Sequence, residues 1–114
     1  MARTIIIHDD LPLLERIRKY VAKVDAELGV EKALLFGSTA QRKRRKESDI
    51  DLIIISKSFT GMPVPKRLGI LENMWDYEED LETLAYTPKE FEEAKDRFLM
   101  KEILSYAIEL TQES

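Results

Sequence analysis

Two carboxylates at alternate positions, Asp49 and Asp51, open an apolar run that continues through Leu52-Ile53-Ile54-Ile55. Residues i and i+2 of a strand project from one face, so the two acids would stand together at the mouth of a buried strand. A metal ion would relieve their repulsion. Mg²⁺ is commonly bound through one or two carboxylates, with substrate phosphates filling other positions. The plain alternative is a pair of strand-end acids facing water. An EF-hand calcium loop is excluded, because its glycine and further acids are missing and hydrophobic residues follow. Upstream, Leu34-Leu35-Phe36 runs into Gly37-Ser38. A Gly-Ser after a strand is ordinarily a turn. If a helix begins at Ser38 or Thr39, its free N–H groups and the Ser38 hydroxyl would suit a phosphate, which glycine lets approach the backbone. No Gly-Lys-Ser/Thr is present, so this is not a Walker A loop.

Little else in the inventory offers chemistry. His8 is the one histidine and cysteine is absent, so no Ser-His-Asp arrangement or thiolate metal site can be built. The basic run Arg42, Lys43, Arg44, Arg45 and Lys46 has two readings, a solvated helix face or a binder of polyanionic phosphate, either a nucleoside triphosphate or RNA. No aromatic residue interleaves it, so base stacking is not indicated. The net charge of −4 excludes a wholesale electrostatic nucleic-acid binder and leaves only a local patch. At 114 residues the chain makes one domain with a single core. It shows neither a membrane-span run nor a signal-peptide pattern, which together with the absence of cysteine fits an intracellular, cytoplasmic protein.

The elements that must position these residues follow from spacing. Met1 to His8 reads as an arm or a short edge strand. Asp9, Asp10 and Pro12 resemble a helix start. Leu13, Leu14, Ile17, Val21, Val24 and Leu28 then give an amphipathic helix over about 11–28, ended by Gly29. Val30 to Phe36 is a buried strand, and Thr39 to Lys46 a short exposed helix fading into a loop. Asp49 to Ile55 is a strand apolar on both faces beyond its acids, as in the centre of a covered sheet. A loop with Gly61, Pro63 and Pro65 follows, then helical spacing from Lys66 to Glu79. Leu81 to Tyr86 is strand or helix by itself, but Thr87-Pro88-Lys89-Glu90 is a capping box with Pro at the first helical position, which makes strand the economical choice. Helix runs from Pro88, with room for a break, to about Tyr106, and the tail is a last strand or continued helix. Trp75, Tyr77, Phe91 and Phe98 read as core. The order predicts an α/β (α+β) domain with helices packed on a small mixed sheet.

Gly37-Ser38, ten intervening residues and then Asp49-x-Asp51 together resemble the signature of the DNA polymerase β-like nucleotidyltransferase superfamily. The pattern is most similar to its small stand-alone members, the minimal nucleotidyltransferases often paired with HEPN-domain proteins. Ser48-Asp49-Ile50-Asp51-Leu52 resembles that family's second strand, and Leu81 to Phe91 its third strand with a Thr-Pro-x-Glu-Phe helix start. The likeness covers roughly residues 30–92. It implies a third carboxylate on the third strand: Glu82, where the family usually has Asp, with Asp80 as the rival two residues earlier. A second departure is Ala40-Gln41-Arg42, where relatives commonly show Ala-Arg-Gly.

The resemblance implies a Mg²⁺-dependent transfer of NMP, AMP from ATP by preference, to a hydroxyl. Asp49 and Asp51 would hold two metal ions, Glu82 (or Asp80) would complete the one that activates the acceptor, and Gly37, Ser38 and Arg42 would bind nucleotide. It also implies a partner. Small proteins of this kind act as antitoxins beside a HEPN-family toxin, either by adenylylating it or by binding it, so an interaction module of little or no activity is the alternative. Association into an oligomer is compatible with either.

Overall fold

The computed structural model describes residues 2–41 and 49–111, with side chains from residue 12 onward. Helix α1 (Ala2–Leu28) leads into strand β1 (Lys32–Phe36), a four-residue helix α2 (Gly37–Ala40) and strand β2 (Ile50–Ile55). A 3₁₀ turn at Lys57–Phe59 precedes helix α3 (Val64–Asn73), strand β3 (Leu81–Tyr86), helices α4 (Pro88–Ala94) and α5 (Phe98–Leu104), and strand β4 (Ile108–Glu109). The four strands form one mixed sheet in the order β3-β2-β1-β4. β2 is parallel to β3 and antiparallel to β1, and β1 is antiparallel to β4. The expected α/β architecture with a small mixed sheet is the one observed.

Strand β2 is the spine. Ile50, Leu52 and Ile54 point into a core with Leu13, Ile17, Val21 and Val24 of α1 and Leu71 of α3. Ile53 and Ile55 point the other way, into a second cluster with Phe91 of α4 and Met100 of α5. Both faces are therefore covered, which is why the run from Leu52 onward carries no polar alternation. The α1 stripe read from spacing is buried, and its far end closes at Gly29, whose φ is +77°. The capping box is also present: the Thr87 hydroxyl accepts from Glu90 N–H at 3.1 Å, and Glu90 accepts from Thr87 N–H at 2.9 Å.

Several expectations are corrected. The helix does not start near Asp9; α1 runs from Ala2 straight through Pro12, so 2–8 is neither arm nor strand. Proline inside a helix forfeits one hydrogen bond but need not end it, and so Pro12 marked no boundary. The region read as helix to Glu79 ends at Asn73. Trp75 follows in a turn, its indole N–H donating to the Glu79 carbonyl at 2.7 Å and its ring packed edge-on against Tyr20. Apolar spacing was kept there by a folded-back loop rather than by helix. Phe98 is 82% exposed and not core. The chain breaks between α4 and α5, with Arg97 extended, so the seven-residue interval from buried Phe91 no longer keeps Phe98 on the inner face. The tail does end in a strand, two residues long.

Candidate active site

β1 and β2 are antiparallel with Phe36 opposite Asp51. The chain then turns at Gly37, where φ is +74°, a left-handed conformation that L side chains adopt at a cost. The turn also lies hard against Asp51. A Cβ placed on Gly37 would collide with the Asp51 carboxylate, with the carboxyl carbon at 3.0 Å. Glycine is thus required here twice, by its dihedral and by the approach of the acid. The helix expected from Ser38 or Thr39 starts at Gly37 itself, and of its residues Ser38 is half-buried and Thr39 buried.

On the other side of β2, the parallel register sets Asp51 opposite Glu82 of β3. Paired residues of adjacent strands project from the same face, so the two carboxylates share a face. Asp49 lies one residue before β2 begins, rather than within the strand, and is half-buried. Burial raises the Asp51 carboxyl, and the charges of Glu82 and Asp49 push it further in the same direction, to about 6. The acid is therefore poised to accept a positive partner. Asp80 lies one residue before β3 and is exposed, and its main-chain carbonyl accepts the Ile50 N–H at 2.8 Å. Of the two rivals, Glu82 is the one whose charge bears on Asp51, and like Asp80 it is exposed.

Among the described residues no three carboxylates are close enough to enclose a metal ion by themselves. Mg²⁺ asks for less. One or two carboxylates with phosphate oxygens and water complete its octahedron, and hard oxygen donors under mutual repulsion at Asp51 are the right chemistry for it. Arg42 and the basic run through Lys46 lie outside the described residues.

Two features escaped sequence reasoning. Tyr106, between α5 and β4, accepts a hydrogen bond from Gly37 N–H through its hydroxyl at 3.3 Å. Buried Arg67 of α3 pairs with Glu90, donates to the Ala85 carbonyl of β3 at 3.1 Å and to the Met62 carbonyl at 2.8 Å. The capping box signalled that the Glu90 carboxylate bends back to the Thr87 N–H, but nothing marked Arg67 as its partner.

Comparison with known proteins agrees with this geometry. A family model described as polymerase beta, nucleotidyltransferase, matches residues 15–113. A crystal structure of a "putative nucleotidyltransferase" from Sulfolobus solfataricus superposes with a TM-score of 0.63 at 22% identity, over 80% of this chain and 81% of that one. BolA1 from Arabidopsis thaliana superposes with a TM-score of 0.53, also at 22% identity, over 66% of this chain and 94% of that one. At that identity the two structures show likeness of fold alone. No curated protein sequence matches significantly. The family match spans nearly the whole chain, including the turn, the strand acids and the elements that hold them: the chain belongs to the polymerase beta nucleotidyltransferase family.

Proposed function

We propose that the whole chain acts as one minimal nucleotidyltransferase domain that transfers NMP, AMP from ATP by preference, to a hydroxyl of a partner protein or another acceptor. The observation that supports this reading is the gathering of Asp51, Glu82 and Asp49 beside the Gly37 turn: burial first, and then the charges of Glu82 and Asp49, raise the Asp51 carboxyl to about 6. A fold gains nothing from such crowding; a cation between the acids and a polyphosphate relieves it. Asp49 and Asp51 would hold the Mg²⁺ ions, with Glu82 as third carboxylate. The metal supplies charge neutralisation at the phosphates and activation of the acceptor oxygen. This chain's own contribution is positioning. Ser38 would offer its hydroxyl to the phosphates, which Gly37 lets approach the backbone, and the packing of Ile50, Leu52 and Ile54 against α1 and α3 fixes the strand that carries Asp51. Such catalysis needs no covalent chemistry from the protein, only alignment and charge. Arg42 would add a further phosphate contact.

A second reading, the interaction module, has its own observation. Phe98 and Leu99 are adjacent on α5 and 82% and 68% exposed, an apolar step that a partner protein would cover. A HEPN-type toxin is the partner the family resemblance offers, with this chain as its cytoplasmic antitoxin. Incubation with α-labelled ATP, Mg²⁺ and candidate acceptors tests the enzyme reading. Label transferred by wild type and lost in Asp51→Asn supports it; equal and negligible label in both, with a partner still captured by the Asp49/Asp51 double mutant, supports pure binding.

A further inference from the structure

The loop of residues 74–80, between α3 and β3, is tied to α1 at both ends. At its start, Lys23 donates to the Met74 carbonyl at 3.2 Å and pairs with Asp76 at 3.0 Å. At its end, the Arg16 guanidinium pairs with the Glu79 carboxylate and lies 5.5 Å from the centre of the Tyr77 ring. The next residue, Asp80, accepts the Ile50 N–H on its main-chain carbonyl at 2.8 Å. That bond opens the β2–β3 ladder. Ile50 stands between Asp49 and Asp51, and the register that begins there pairs Ile50 with Leu81 and Asp51 with Glu82. Arg16 therefore holds the point from which β3 enters the sheet, three residues before Glu82.

As a source of stability the pair is ill made. It uses a single guanidinium nitrogen, and Arg16 Nε and Glu79 Oε1 are buried with no partner among the described residues. An ion pair withdrawn from water with its remaining polar atoms unmatched recovers little of its desolvation cost, and the best-attested use of such pairs is to fix a register. Register matters at this position. A slip of one residue turns every side chain of a strand to the opposite face, and Glu82 would then leave the face that carries Asp51. We infer that Arg16 is a positioning residue for the third carboxylate: through Glu79 it holds the start of β3 in the register that sets Glu82 opposite Asp51. The inference rests on the nucleotidyltransferase reading of that site.

Two amides report on the two ends of the ladder. Ile50 N–H lies at the end that Arg16 holds, and Ser56 N–H donates to the Tyr86 carbonyl at 2.9 Å at the other. Arg16→Met removes the charge and keeps much of the side chain, and Arg16→Lys keeps the charge. In Arg16→Met, hydrogen exchange at Ile50 should quicken about tenfold while Ser56 changes less than about twofold. Calorimetric titration should show MgATP bound about tenfold more weakly. Because one nitrogen makes the pair, Arg16→Lys should return both readouts to within about threefold of wild type. Equal quickening at both amides, whatever the affinity, would mark Arg16 as a general support of the fold and overturn the inference. So would a change in only one of Ile50 exchange and MgATP affinity, no change in either, or a lysine variant no better than the methionine one. Wild type that does not bind MgATP would overturn the nucleotidyltransferase reading and this inference with it; wild type that binds MgATP with an affinity unmoved by Arg16→Met overturns only the role of Arg16. Should Arg16→Met fail to fold, Glu79→Gln removes the charge from the other partner. It should quicken Ile50 selectively and weaken MgATP binding, each by about threefold, and unchanged values would overturn the inference.

Discussion

Asp51 is the residue on which the chemistry turns, and its environment makes two predictions. Its carboxyl sits near 6, above the ordinary carboxylate value of 3.8, because of burial and then the Glu82 and Asp49 charges. The folded state therefore holds this proton more tightly than the unfolded chain. Asp51 contributes nothing below about pH 4, and it progressively destabilises the fold as pH rises from there through about 6. Asp51→Asn removes that ionisation. At pH 7.5 its melting temperature should equal or exceed wild type, by up to about 4 °C, while nucleotide binding and transfer are lost; a clearly lower melting temperature would show that the acid serves the fold. A cation competes with the same proton, so MgATP affinity should fall as pH drops through 6, read by titration at pH 5.0 and 7.5. Gly37 makes a third. Gly37→Ala adds a methyl group where the Asp51 carboxylate already sits, at a left-handed φ. It should cost about 1–3 kcal/mol in chemical denaturation and weaken nucleotide binding, with Ser38→Ala leaving stability nearly intact. The acids and the glycine were legible in the sequence because their spacing is short and their chemistry unusual for a strand end. Tyr106 was not, since it meets Gly37 across 69 residues through a pairing that no local pattern encodes.

At the scale of elements, the frame that holds the third strand is tied by Arg67. This buried guanidinium joins the start of α3, the outer strand β3 and the first turn of α4 by way of Glu90. The paired Arg67 holds the Glu90 carboxyl well below the usual range, to about 2, with Thr87 N–H assisting. A depressed carboxylate stabilises the fold above its unfolded value of 4.5, and that stability drains away as pH falls from there towards 2. Since Glu90 is 42% exposed while Arg67 is 5% exposed, water screens the pair and the loss should be gradual. Arg67→Ala empties a buried site and strands its acceptors. It should destabilise by about 2–3 kcal/mol, through lost packing and the Met62 and Ala85 carbonyls left without a donor, whereas Glu90→Gln, which keeps an acceptor for the Thr87 N–H and for Arg67, should cost less. Near-equal effects in urea titration would contradict this division. The stripe of α1, the twofold burial of β2 and the Thr87 box could be read from the chain because each is a repeating or contiguous pattern. The ends of α1 and α3 could not. Pro12 permits helix on both sides, and Met74 and Trp75 continue an apolar rhythm after the helix has stopped. Phe98 misled for the opposite reason, since a break that shifts the helical phase leaves no glycine or proline behind.

For the molecule as a whole, one sheet gathers the candidate site residues at one rim: the C-terminal end of β1 and the starting ends of the parallel pair β2 and β3. Asp49, Asp51, Glu82 and Gly37 all lie there, and α5 with β4 closes its flank through Tyr106. Phe98 and Leu99 stand exposed on α5, away from the buried core. The central claim is that this rim is a metal–nucleotide site. Its most direct measurement is calorimetric titration of ATP into wild type and Asp51→Asn, with and without Mg²⁺. Wild type should show saturable one-to-one binding that requires the metal, and the variant should show none. ATP binding that is equal in both proteins and indifferent to Mg²⁺, or absent from wild type altogether, would contradict it.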